Sequence, residues 1–191
     1  MTMKRIVHLL FEARSLKQLT RSGYQFLGTG RESVAEHSFT TTVIAYVMGQ
    51  TNPDVDRGRL VTMSLLHDLP EARIGDLNYV QKFYVQADEA AAIDEMSDGL
   101  PFGDDIRGLI DEFNRGESRE ARLARDADQL AFLVELKSLA DLGYATPSSW
   151  IPNLLERLQT DSGRAMAAAI LETPAEEWWR QKFIDRTDHT K

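Results

Sequence analysis

Apolar residues recur at three- and four-residue intervals along almost the whole chain, the spacing that gathers them on one face of a helix. Ile6, Leu9, Leu10, Ala13 and Leu16 predict a first amphipathic helix, and a glycine-containing loop over residues 21–32 follows it. Ser33 and Glu36 have the spacing of a capping box. They open a helix on which Val34, His37, Thr41, Ile44 and Met48 share a face. Asn52-Pro53-Asp54 breaks the chain. A third helix then runs through Leu60, Met63 and Leu66 to His67-Asp68, where Pro70 lacks a donor and ends or distorts it. Gly75-Asp76 reads as a turn into a loop around residues 78–84.

Further helices are expected over residues 86–97 and 104–114, with a long one over 118–142. The long helix buries Leu123, Ala127, Leu130, Ala131 and Val134, and Asp128 stands at the edge of that stripe. Beyond Gly143 and Pro147, shorter helices are expected over 152–158, 162–171 and 175–184. Strand alternation, internal repeats and low-complexity tracts are not evident. The expectation is an all-α, single-domain helical bundle over residues 1–191. Its core spans about 3–144, and C-terminal helices over 150–187 pack on it.

Composition narrows the function. At 191 residues, 42% hydrophobic and 27% charged, the chain can build one substantial core. A formal charge of −8 argues against a nucleic-acid polymer as partner, since counterion release needs a basic surface. With no cysteine there is neither a disulfide nor a thiolate zinc site. The N-terminal apolar run is short and interrupted by Glu12, a poor signal peptide, and no stretch reaches membrane-spanning length. A cytoplasmic location without membrane attachment is the default expectation.

Four residues on three expected helices change the picture: His37, the pair His67-Asp68, and Asp128. Singly, each has a structural explanation. A histidine on an apolar face is commonly a hydrogen-bonded core residue. Asp128, beside Arg125 and Asp126, reads as part of a solvated face, and His67-Asp68 suits a helix end. Jointly they make a ligand set, because a divalent cation offsets the cost of placing two carboxylates beside apolar stripes. Nitrogen and oxygen donors without sulfur suit Mn²⁺, Co²⁺, Fe²⁺ or Ni²⁺, tolerate Zn²⁺, and are less typical of Mg²⁺ or Ca²⁺. Four protein ligands on an ion that prefers six leave positions for water or substrate, as catalysis requires.

The series His37, His67-Asp68, Asp128 resembles the HD-domain metal-dependent phosphohydrolases. The match extends to Glu32-Ser-Val-Ala-Glu-His37-Ser, to His67-Asp-Leu-Pro-Glu71-Ala-Arg-Ile-Gly-Asp76, and to Arg21-Ser-Gly-Tyr24. Those runs look like the branch containing the 5′-deoxynucleotidases. The resemblance covers roughly residues 3–144 and implies a bundle of the HD type and a homodimer. It also implies removal of phosphate from 2′-deoxynucleoside 5′-monophosphates by water activated on one divalent ion. At Glu71 and Asp76 it implies catalytic carboxylates: Glu71 is assigned as general base toward the water, and Asp76 to the leaving alkoxide or the sugar. On sequence alone the two roles are interchangeable, and Asp76 after Gly75 would otherwise read as a turn residue.

A phosphate ester also needs cations, and Arg21 is the candidate bidentate clamp, with Lys82 as a second cation. Tyr24 stands where relatives often carry tryptophan and can stack on base or sugar. An apolar contact at the 2′ carbon rejects an added hydroxyl only about a hundredfold, so a preference for deoxyribose is expected, not an absolute choice. Two other readings compete. One is an HD hydrolase acting on an alarmone or a nucleoside triphosphate. The other is a non-catalytic metal-containing nucleotide sensor that uses Trp150, Trp178 and Trp179 as an interface. His8 and His189, near the termini, read as surface residues.

Overall fold

The computed structural model describes residues 3–184, in which the backbone forms helices joined by short loops and, apart from one isolated antiparallel bridge between Thr20 and Ser33, no β-pairing. The elements in chain order are α1 (Met3–Ser15), α2 (Tyr24–Leu27), α3 (Val34–Thr51), α4 (Arg57–Leu66), α5 (Glu71–Ile74) and α6 (Tyr79–Tyr84), followed by α7 (Glu89–Ser97), α8 (Gly103–Arg115), α9 (Arg119–Asp141), α10 (Ala145–Leu155), α11 (Asp161–Glu172) and α12 (Glu177–Phe183). The all-α class follows directly from this order. His189 lies outside the described residues; His8 is exposed on α1.

The long helix α9 is the axis of the fold. Ser118 caps it by accepting from the Ala121 amide, and α3, α4, α10 and α11 pack around it. Alanines at 121, 124, 127 and 131 are fully buried, so neighbouring backbones approach closely, while Leu123, Leu130, Leu133 and Leu136 fill the space between. On α3 the capping box is present: Ser33 accepts from the Glu36 amide and the Glu36 carboxylate accepts from the Ser33 amide. A second apolar cluster joins Leu9 and Leu16 to Ile93, Met96, Ile106 and Ile110. Leu66, the last residue of α4, packs against both clusters. The turn that carries His67-Asp68 is thereby seated at their junction.

Three local expectations are corrected. Residues 79–84 are helical, because Asn78 accepts from the Val80 and Gln81 amides and the Gln81 side chain accepts in return from the Asn78 amide. Helix α10 begins at Ala145, before Pro147, and continues through Pro152. Pro147 lies in the first turn, where an amide donor has no intrahelical partner to lose. Asp126 does not belong to a solvated face. It is fully buried and accepts from the Gln159 amide (2.7 Å), the Thr160 amide (2.9 Å) and the Thr160 hydroxyl (2.5 Å). Any side chain at Gly163 would collide with this carboxylate, which is why α11 can dock there. Among the described residues no helix is long and apolar enough to cross a membrane.

Candidate metal centre

His37 sits one turn into α3 and is fully buried. Its Nε2 lies 2.9 Å from Asp128 Oδ1 and 3.8 Å from Asp68 Oδ2. His67 caps the C-terminus of α4, with its ring 5.7 Å from that of His37 and 4.9 Å from that of Phe113. His67 Nδ1 lies 2.8 Å from the Ser64 carbonyl, and a carbonyl only accepts, so Nδ1 carries a proton. Nε2 is left facing Asp68 Oδ2 at 3.1 Å, buried and without a hydrogen-bond partner. Potential ligand atoms of His37, His67 and Asp128 all lie within 4.8 Å of one another. Asp68, adjacent to His67, adds its oxygen to the same space.

The donor set fits a divalent ion on both geometry and charge. A buried imidazole nitrogen costs free energy unless a proton facing a carboxylate, or an ion, occupies its lone pair. Burial works against charge on His67, yet Asp68 and Asp128 outweigh it and lift the imidazole to about 9. Burial raises the carboxyls of Asp68 and Asp128, but the imidazoles outweigh it and hold both below the usual range. His37 is pushed down by burial and by Arg21. The aspartates therefore demand a positive charge, and a metal ion can supply it in place of the His67 proton.

The remaining predicted residues gather at the mouth. A cavity of ≈240 Å³ is lined by Arg21, Tyr24, Asp68, Glu71, Asp76, Lys82 and Asp128, with the two histidines behind the carboxylates. Glu71 begins α5; burial, then Asp68 and Asp76, push it up to about 9. Arg21 Nη1 is buried without a hydrogen-bond partner, 3.8 Å from Glu32 Oε2, and its guanidinium lies 5.5 Å from the centre of the Phe132 ring. Asp76 Oδ2 accepts from both the amide and the hydroxyl of Ser22, tying the loop that carries Arg21 to the turn after α5. Tyr24 is buried, its ring edge on Phe132 and its hydroxyl 3.3 Å from Glu32 Oε2, so it offers the cavity a wall and not a free platform. Lys82 projects from α6 at the rim of this cavity and of a neighbouring one of ≈340 Å³.

Several contributors carry no site role in the sequence analysis. Glu32 is buried, and its Oε2 stands 3.9 Å from His37 Nδ1, an atom with no hydrogen-bond partner. Its position five residues before His37 is a sequence signal, but one that a polar loop disguises. Gln129 donates to Asp128 Oδ2 at 2.9 Å, and Phe132 follows Asp128 by one helical turn. Trp150 and Arg157 reach the cavity from α10 and just beyond it, with no local pattern to announce them.

Comparison with known proteins bears on the family and the fold. The family model described as HD domain matches residues 13–169. The human 5′-deoxynucleotidase HDDC2 is 27% identical over 135 residues, 66% of this chain and 64% of that protein. A dATP triphosphohydrolase of Salmonella phage PMBT28 is 32% identical over 132 residues, covering 64% and 63%. The chain thus spans just under two thirds of the length of these curated relatives. Among solved structures, a Pyrococcus horikoshii protein superposes with a TM-score of 0.72 at 23% identity, covering 86% of this chain and 98% of that one. A predicted metal-dependent phosphohydrolase of Magnetospirillum magnetotacticum gives 0.69 at 22% identity, covering 93% and 94%. Both likenesses concern the fold. With more than three quarters of its length matched by the family model, the chain belongs to the HD-domain family.

Proposed function

We propose that the chain is a metal-dependent phosphohydrolase that releases phosphate from 2′-deoxynucleoside 5′-monophosphates. The observation that carries this reading is the convergence of His37, His67, Asp68 and Asp128 on one point, beside a cavity that also presents Arg21 and Glu71. A divalent ion held by the four supplies Lewis acidity toward water and a phosphoryl oxygen. Arg21, which lines the cavity, binds the phosphate dianion through its guanidinium edge. Asp76 keeps Arg21 in place through Ser22. Lys82 closes the rim with a second positive charge.

Glu71 moves the proton. A carboxyl raised to about 9 among carboxylates is lowered by a cation beside it, which favours the ionised form that accepts the proton of attacking water. The phosphorus–oxygen bond to the sugar breaks, and the leaving alkoxide takes up a proton to give nucleoside and inorganic phosphate. The names of the HDDC2 relatives support this substrate class. Homodimer formation fits an apolar stripe on the outer face of α3.

Phosphate release from a panel of deoxy- and ribonucleoside 5′-monophosphates with Mn²⁺ or Co²⁺ tests the reading. Glu71→Gln is expected to lower kcat by roughly 10²–10⁴-fold while the metal content is retained. Absence of turnover with every divalent ion defeats the proposal. The 32% identity to the phage protein favours one alternative, a nucleoside triphosphate as substrate. Inorganic triphosphate as the product from dATP, at a higher kcat/KM than phosphate from dAMP, would select it.

A further inference from the structure

Away from the metal-facing end, the cavity continues into a recess of ≈330 Å³, and Tyr79, Gln129, Phe132, Trp150 and Arg157 line both. Three aromatic rings reach it from three elements: Tyr79 from α6, Phe132 from α9 and Trp150 from α10. Phe132 meets Trp150 edge-on, with ring centres 6.1 Å apart and planes at 75°, and also meets Tyr24 at 6.3 Å. Tyr79 is 60% exposed, yet the Arg157 guanidinium lies 5.0 Å from its ring centre. Arg157 makes no ion pair among the described residues.

The two ends of this space differ in chemistry. Carboxylates crowd the metal end. The recess adds Ser149, Asn153 and Leu154 to the residues it shares and contains no acidic side chain. Flat π faces, a cation over one of them, and amide groups suit a planar heteroaromatic ring with a hydrogen-bonding edge. Gln129 stands at the junction, since its amide holds Asp128 Oδ2 while lining the recess. We propose that the recess formed by Tyr79, Phe132, Trp150 and Arg157 is the subsite for the nucleobase, placed so that a phosphate at Arg21 leaves the base against these rings. The assignment rests on the phosphohydrolase reading for where the phosphate lies.

The test compares kcat/KM for 2′-deoxyadenosine 5′-monophosphate with that for 2-deoxyribose 5-phosphate, which lacks the base. Base stacking on aromatic side chains sets the expected size: in Tyr79→Ala and Arg157→Ala the ratio falls roughly ten- to a hundredfold, through the KM of the nucleotide. Both side chains are exposed, so these variants keep the core intact; Trp150→Ala opens a partly buried contact and is secondary. An unchanged ratio in both exposed variants overturns the subsite. A second measurement needs no turnover: 2′-deoxyadenosine should quench tryptophan fluorescence in the wild type and not in Trp150→Phe, where Trp178 and Trp179 remain. If no phosphomonoester is hydrolysed, the activity falls and this titration still decides the recess. Turnover of nucleotides with no quenching and no loss in the variants leaves the activity standing and removes the subsite.

Discussion

Glu32 places Oε2 3.9 Å from the buried Nδ1 of His37, on the side of the ring opposite Asp68 and Asp128. That distance exceeds a hydrogen bond, but it lets a carboxylate orient the ring and favour a proton on Nδ1, which leaves Nε2 for an ion. Burial pushes Glu32 up to about 7 against the pull of Arg21. Glu32→Gln is therefore expected to weaken Mn²⁺ or Co²⁺ binding by roughly 10–100-fold at about pH 8, where the wild-type carboxylate is ionised. The deficit should shrink below pH 7, because wild-type Glu32 is then itself neutral. Titration calorimetry at two pH values reads both numbers, and equal affinities at the higher pH would remove Glu32 from the site.

His67 gives the proton balance of metal binding. Its imidazole is lifted to about 9, so near pH 7.5 it is protonated before an ion arrives and must be neutral afterwards. Binding should release at least one proton at about pH 7.5, one from His67 and a further share from Glu71, so apparent affinity should climb at least about tenfold per pH unit before levelling above pH 9. The sign is fixed: the proton competes with the ion, so acid weakens binding. Binding enthalpies measured in buffers of different ionisation heat give the proton count directly. A slope of zero against ionisation heat contradicts this account of the cluster.

Much of this candidate site was legible in the sequence because its candidate metal ligands sit on or beside strongly periodic helices. His37 falls on a stripe with Val34, Thr41 and Met48, and Asp128 borders the stripe of α9, so their depth follows from position. The capping box at Ser33 and Glu36 was readable for the same reason, being a contact between near neighbours. What escaped depends on distance along the chain. Asp126 looks like its exposed neighbour Arg122 in sequence, and only residues more than 30 positions later, Gln159 and Thr160, make it a buried acceptor. Trp150 and Arg157 enter the cavity because α10 doubles back along α9, which no local pattern encodes. Helix α6 has only modest propensity, and the two-way cap between Asn78 and Gln81 decides it.

Asp126 should prove structural. Asp126→Ala removes the charged acceptor of two backbone amides and the Thr160 hydroxyl at a part-buried junction. The expected loss is about 2–4 kcal/mol, read from urea denaturation. Gly163→Ala should act through the same contact by driving a methyl group into the carboxylate. Stability unchanged in both variants would show that α11 does not depend on this junction.

The outer face of α3 predicts the assembly state. Phe39, Val43, Tyr46 and Val47 lie at helical spacing on the side away from α9, and Phe39 is 70% and Tyr46 58% exposed. Contiguous apolar residues at this exposure on a helix that is also buried on its inner side mark an interaction surface more often than a solvated one. A two-fold interface would use the same stripe on both copies, so one charge introduced there appears twice and repels itself. Val43→Glu or Tyr46→Glu should shift the protein from dimer to monomer by light scattering at micromolar concentration. Thermal stability of the monomeric variant should then stop depending on protein concentration. A wild type that is monomeric throughout, or variants that remain dimeric, would place the interface elsewhere or abolish it.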